Sequence, residues 1–225
     1  MRRNIRRMLS TRDVERPEPR WPAILAIFAA AALHFTLPAA MRPGPSWLLA
    51  SLVTVFVTLA WIGRRTGHQR LNGLAGYVIL ALLAAGLLYG ITMLVLGLVR
   101  HSENAQQLLQ SAAVLWATNI LVFATGYWRL DAGGPNERER RRTHTQGAFL
   151  FPQMALCMGG GDVDHLETWR PGFVDYLFVA FNTSTAFSPT DVPVLTTWAK
   201  LAMMMQATIS FTTVILLVGR VVNIL

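Results

Sequence analysis

The sequence predicts an all-α integral membrane protein with five transmembrane helices and, before the last of them, a short re-entrant pore-like helix and turn. Composition is the first observation behind this prediction. Of 225 residues, 53% are apolar and only 14% are charged, and the mean hydropathy is +0.40. An ordinary soluble domain carries about 25% charged residues. The chain has too little polar surface to cover a soluble globule, which excludes a soluble enzyme.

The second observation is the spacing of the apolar runs. The core of a bilayer is about 30 Å thick and needs roughly 20 apolar residues in an α-helix. Five runs meet this need, over residues 22–39, 46–63, 72–99, 108–128 and 198–222. Tryptophans, which prefer the membrane interface, stand at several run ends: Trp21, Trp47, Trp61 and Trp128.

The third observation is the placement of the positive charge. The net charge is +8, but 15 of the 20 Lys and Arg residues fall within residues 1–20, 64–71 and 129–147. Basic segments between apolar runs mark cytoplasmic loops, so we expect a cytoplasmic N-terminus. No basic face with interleaved aromatic residues occurs, and we expect no nucleic-acid partner.

Four regions follow from this pattern. Residues 1–20 form a basic cytoplasmic N-terminus, residues 21–128 a four-helix transmembrane region, residues 129–172 a loop with a short interfacial apolar segment, and residues 173–225 a C-terminal module.

Within the loop, the charge run 133–142 is typical of a solvated segment. The acidic and histidine residues of 159–167 match no calcium or zinc pattern, so we expect no metal and no cofactor. The single cysteine, Cys157, excludes a disulfide within the chain.

The C-terminal module contains the segment with the most distinctive chemistry. Residues 173–183 have helical spacing, whereas the following residues are small, rich in hydroxyls and broken by Pro189. Non-helical backbone survives at membrane depth only where it is buried or lines a water-filled cavity. The negative C-terminus of a short helix there favours cations, and carbonyls and hydroxyls can replace an ion's hydration shell. The predicted ion pathway is a filter-like turn: Thr183, Ser184, Thr185, Ala186, Phe187, Ser188, Pro189, Thr190 and Asp191.

This segment resembles the pore domain of potassium channels over residues 173–222. That family has a short pore helix, then Thr-x-Thr-Thr-Val-Gly-Tyr-Gly-Asp, then a lining helix that begins near a Trp and a basic residue. Without a gap, Thr183, Thr185 and Asp191 match the motif, and Trp198 and Lys200 match the start of the lining helix.

Several positions depart from the family pattern. Ser188 and Thr190 replace the two filter glycines, and Pro189 replaces the filter aromatic residue. Asn182 stands where some members have a pore-helix glutamate, and Ser210 where many have a hinge glycine. Glycine allows the backbone conformations that turn successive carbonyls inward. The resemblance therefore implies a filter without glycine that is not strictly potassium selective.

The resemblance also implies a homotetramer, because one pore segment cannot enclose a pathway, and a monovalent cation as the partner. The lining-helix candidates are Met203, Gln206, Ser210 and Thr213. The whole chain is similar to a family of bacterial membrane proteins without an established activity, which implies a multi-pass protein of the bacterial inner membrane.

The charge pattern leaves two topologies open. Potassium-channel pore loops enter from outside, but four helices from a cytoplasmic N-terminus bring this chain back to the cytoplasm. Residues 173–190 then either dip in from the cytoplasm and return, or cross, which makes six spans and places Asp175 near one face. The C-terminus lies outside in the first case and inside in the second.

Three functions fit this reading, and a cation channel is the first. A non-conducting structural or accessory membrane protein is the second. A small secondary transporter is the third, although such folds usually contain internal repeats and none is found here. No catalytic motif indicates an enzyme.

Overall fold

A computed structural model describes residues 18–100, 105–141, 147–158, 169–185 and 192–224. These residues form α-helices joined by turns and contain no strand longer than an isolated bridge. The helices are α1 (Trp21–Phe35), α2 (Ser46–Arg65), α3 (Gln69–Arg100), α4 (Ala105–Leu130), α5 (Pro135–Arg141), α6 (Pro152–Met158), α7 (Phe173–Thr185) and α8 (Thr197–Ile224).

Four stretches of the described chain are long and apolar enough to cross a membrane. They are Ser46–Arg65, Gln69–Leu98, Gln106–Arg141 and Thr197–Leu216. The third comprises α4 together with the short helical turns that follow it. The prediction of an all-helical protein with long apolar helices is confirmed for four of the five predicted runs.

The first predicted run, residues 22–39, forms a shorter helix than expected. Helix α1 has 15 residues, or about 22 Å, against a bilayer core of about 30 Å. It ends at Phe35 because the Thr36 hydroxyl donates to the Leu33 carbonyl at 2.8 Å and Pro38 cannot continue the helix. Its small residues, among them Ala23 and Ala30, are buried and let neighbouring helices approach closely.

Helix α4 is the centre of the packing, because it contacts α1, α3, α7 and α8. Helices α2 and α3 form a tight antiparallel hairpin, whose turn uses Gly67 with φ of +75°. The Asn72 side chain donates to the Ala60 carbonyl at 2.7 Å and joins the two helices near this turn.

Polar side chains connect the start of α1, the α2–α3 turn, the end of α4 and α5 at one end of the bundle, which we call the basic end. Arg20 donates to Asn136 at 2.7 Å and to Glu139 at 2.9 Å, and Arg64 approaches Glu139 at 3.4 Å. Burial lowers the pKa of Arg20 to about 10, an effect that Glu139 opposes. Arg20 therefore remains charged at neutral pH.

The Arg129 guanidinium completes this network, because it donates to the carbonyls of Asn72 and Gly73 at 2.7 and 2.8 Å. Asn136 also donates to the Asn72 side-chain oxygen at 2.8 Å. The opposite end of the bundle contains the turn between α1 and α2. There the Met41 carbonyl lies 3.7 Å from where a Cβ on Gly90 would lie, about 27 Å along α3 from Asn72.

Candidate functional site

Helix α7 begins at the basic end, beside the end of α4. The Phe173 ring packs edge-on against Trp128 with 6.0 Å between the ring centroids. The Tyr176 hydroxyl donates to Asp131 Oδ2 at 2.6 Å, and Asp131 lies in the turn that directly follows α4. The Asp175 carboxylate accepts the Gly172 N–H at 2.7 Å, which satisfies a free donor at the start of the helix.

Asp131 and Arg138 fix this junction. Besides Tyr176, the Asp131 carboxylate accepts the backbone N–H of Ala148. Arg138 is 4% exposed and donates to the carbonyls of Trp128 and Asp131, each at 2.9 Å. Its charge is paired with Glu18 at 3.0 Å, so the chain that leads into α1 holds the same junction.

The other end of α7 lies against the middle of α4 and α8. The Ser184 carbonyl accepts the Ser210 hydroxyl at 2.7 Å and the Trp116 indole N–H at 3.4 Å. Trp116 precedes Trp128 by 12 residues, which corresponds to about 18 Å along α4. The 13 residues of α7 extend about 20 Å, which is shorter than a bilayer core of about 30 Å.

Helix α8 begins at the same end as α7. Val194 forms a bridge with Phe149, while the Leu150 N–H donates to the Pro193 carbonyl at 2.9 Å and the Leu195 N–H to the Ala148 carbonyl at 2.8 Å. The Phe149 ring lies 5.1 Å from Tyr127 near the end of α4. Residues 193–195 are therefore back at the basic end, although Thr185 lies at the middle of the bundle.

A buried amide joins α4, α7 and α8 at the level of the last turn of α7. Gln206 is fully buried. Its side-chain oxygen Oε1 accepts a hydrogen bond from the Tyr127 hydroxyl at 2.6 Å. Its Nε2 donates to the Ala180 carbonyl at 2.7 Å and to the Ser184 hydroxyl at 2.8 Å. Asn119 donates to the Gln206 backbone carbonyl at 3.2 Å. The end of α7 is thus held by polar contacts to both neighbouring helices.

The predicted filter-like turn is described only at its start. Thr183, Ser184 and Thr185 form the last turn of α7 rather than part of a non-helical turn. The Thr183 hydroxyl is buried and donates to the Val179 carbonyl at 2.8 Å, whereas Thr185 is exposed and donates to the Phe181 carbonyl at 2.9 Å. The remaining predicted residues lie outside the described part of the chain: Ala186, Phe187, Ser188, Pro189, Thr190 and Asp191.

Three of the four lining-helix candidates face the interior of the protomer. Gln206, Ser210 and Thr213 are fully buried, and Thr213 donates to the Ser210 carbonyl at 2.8 Å. Met203 is half-buried. The polar stripe of α8 packs against α4 and α7 because buried amides and hydroxyls need hydrogen-bond partners. The exposed face of the helix carries other side chains: Leu201, Met204, Thr208, Phe211 and Ile215.

Sequence reasoning missed the residues that anchor α7. The charge run 133–142 was expected to be solvated, but α5 forms there and buries Arg138. Asp131 and Tyr176 are far apart in sequence, and no local pattern indicates their contact. Arg138 stands directly between Glu137 and Glu139. Such a charged run gives no signal of burial, because it is also typical of an exposed helix.

Comparison of the chain with protein-family models, with curated proteins and with solved structures gave no match. The resemblance to potassium-channel pore domains therefore remains a prediction that depends on residues 173–222.

Proposed function

We propose that this protein is a cation channel or channel-like protein of the bacterial inner membrane, built as a homotetramer around its α7–α8 modules. One observation carries the proposal: α7 and α8 start at the same end of the bundle, while α7 ends at its middle. A half-length helix followed by a return to the same side is the arrangement of a re-entrant pore segment.

The orientation follows from charge. The basic end holds Arg20, Arg64 and Arg129, and clusters of arginine favour the cytoplasmic side. The N-terminus is then cytoplasmic, α7 dips in from the cytoplasm, and α8 carries the C-terminus to the outside. With 28 residues, α8 extends about 42 Å and is long enough to span, whereas α7 is not.

The chemistry of the end of α7 favours cations. A helix C-terminus carries a partial negative charge, and this one lies at depth, where little water screens it. The exposed Thr185 places a hydroxyl on the open side of that last turn. One half-helix cannot enclose a pathway, so four copies would gather four such ends around an axis.

Selectivity is expected to be weak. Without glycines at 188 and 190, successive carbonyls cannot all adopt the inward-turned conformations of a potassium filter. We therefore propose a pathway for monovalent cations that discriminates little between sodium and potassium.

A non-conducting accessory protein is the second candidate, and one observation favours it. The polar side chains of α8, Gln206, Ser210 and Thr213, have their hydrogen bonds within the protomer. Such a network is also expected in a helix hairpin that has a structural role and conducts no ions.

Recording from purified protein in planar bilayers tests the proposal. Wild-type protein should carry cation current, and Thr185→Val and Asp191→Asn should change its conductance or selectivity. Thr92→Val is the matched control, because Thr92 is also an exposed threonine that donates to the carbonyl four residues earlier, at 2.8 Å, but lies on α3. Absence of wild-type current under varied voltage and ions, or a strict monomer after mild detergent extraction, would support the accessory role instead.

A further inference from the structure

We infer that the α2–α3 turn at the basic end binds the phosphate headgroup of an anionic membrane phospholipid. The site comprises Arg65 and Arg70 with Trp61 beside them, and we call it the turn site. This inference depends on the membrane insertion proposed above but not on conduction.

No carboxylate within the described part of the chain neutralises the cations of the turn site. Arg65 and Arg70 are exposed, and no acidic side chain of the described chain lies within ion-pair distance of either. Arg64 reaches Glu139 only at 3.4 Å, while Arg20 holds that carboxylate at 2.9 Å. The turn therefore presents unpaired positive charge at the expected level of the lipid headgroups.

The geometry of Arg65 suits a phosphate. Its guanidinium carbon lies 4.6 Å from the centre of the Trp61 ring, so the planar group stacks on the indole. Stacking occupies the face of a guanidinium and leaves its N–H edge free, and that edge pairs with two phosphate oxygens at once. Trp61 is 54% exposed and belongs to the residue type that prefers the membrane interface.

Apolar side chains next to the turn form a surface for the acyl chains of a lipid. Ile62 on α2 and Leu71 and Leu74 on α3 are all exposed, Leu74 to 65%. A free phosphate or a soluble acidic protein would bind the arginines but leave these apolar side chains uncovered. A lipid satisfies both parts of the surface, because its headgroup meets the arginines and its acyl chains meet the apolar residues.

Other arginines at the same end supply a matched control. Arg140 and Arg141 are also exposed, but both are paired with Glu137, at 2.9 and 3.2 Å. The double substitutions R65Q/R70Q and R140Q/R141Q remove the same charge from the same end of the protein. Only the first removes unpaired cations.

The experiment measures lipid binding to the full chain in neutral detergent, by native mass spectrometry and by the shift in thermal unfolding. The probes are dioleoylphosphatidylglycerol, dioleoylphosphatidylcholine and glycerol 3-phosphate. Each basic residue near an anionic lipid surface contributes about 1 kcal/mol to the binding free energy. Loss of both arginines in R65Q/R70Q should therefore weaken the binding of phosphatidylglycerol about 30-fold. R140Q/R141Q should stay within about threefold of wild type, and R65K/R70K should retain most of the affinity.

Three results would overturn the inference. They are equal phosphatidylglycerol affinity of R65Q/R70Q and wild type, equal affinity of wild type for phosphatidylcholine, and binding of glycerol 3-phosphate as tight as that of the lipid. The last would identify a site for soluble phosphate compounds. Since binding is measured without current, a channel test that fails leaves this result standing.

Discussion

Replacing Gln206 with leucine should destabilise the packing of α4, α7 and α8 by about 1–3 kcal/mol. Leucine fills a similar volume, so the cost comes from the hydrogen bonds of the amide. The Ser184 hydroxyl can turn to the Ala180 carbonyl four residues earlier, which restores a partner to both. The Tyr127 hydroxyl has no such substitute and is left buried and unpaired, at a cost of about 1–3 kcal/mol.

The assay is the free energy of unfolding in mixed micelles, measured for both single variants and for the Gln206→Leu/Tyr127→Phe double variant. Because the double variant removes both partners, it should recover about 1 kcal/mol relative to the sum of the single effects. Thr208→Val is the control, since this exposed hydroxyl donates only to Met204 of its own helix and its loss should cost under about 0.5 kcal/mol. A Gln206→Leu protein as stable as this control, with no coupling to Tyr127, would show that the buried amide does not stabilise the packing of these helices.

Two further predictions concern the basic end. Gly76→Ala should lower the free energy of unfolding by about 1–3 kcal/mol, because its Cβ would lie 2.2 Å from the buried Arg129 guanidinium and displace it from the carbonyls of Asn72 and Gly73. Gly73→Ala, with no atom within 4 Å, should instead stabilise the helix by about 0.5–1 kcal/mol. Asp131→Asn should cost about 1.5–3 kcal/mol, because an amide offers one acceptor where the carboxylate accepts two hydrogen bonds. Hydrogen exchange should then be faster around Tyr176, and unchanged exchange would show that Asp131 does not anchor α7.

The long apolar helices could be predicted from the sequence because lipid imposes a length and a composition on any helix that crosses it. The end of α1 was harder, since Thr36 and Pro38 stop the helix inside an apolar run that continues to residue 39. Hydropathy is averaged over many residues, so it does not detect a helix end that one or two residues determine. The short helix before the last span was predicted and is present as α7, with its end two residues later than expected.

The partners of the polar residues could not be predicted. Helical spacing places Gln206, Ser210 and Thr213 on one face of α8, but it does not say whether that face meets water or another helix. The contacts to Tyr127, Ser184 and Asn119 depend on how α4 and α7 pack. Such contacts link residues more than 20 positions apart and leave no local pattern.

The burial of Arg138 has the same cause. Its neighbours are charged, so the local sequence indicates solvent, yet the carbonyls at the end of α4 and the carboxylate of Glu18 satisfy its donors inside the protein. These partners come together only when the end of the bundle is assembled, and their hydrogen bonds then offset the free-energy cost of burying the charge.

The side of the membrane on which α8 begins distinguishes a re-entrant α7 from one that crosses. In a Cys157→Ser background, single cysteines replace Lys200, His68 in the α2–α3 turn and Pro43 between α1 and α2, all of which are exposed. Cells are treated with a membrane-impermeant thiol reagent before and after permeabilisation. If α7 is re-entrant, Lys200→Cys should react only after permeabilisation, like His68→Cys, while Pro43→Cys should react in intact cells. Reaction of Lys200→Cys in intact cells together with Pro43→Cys would mean that residues 173–190 cross the membrane, and it would contradict the re-entrant arrangement.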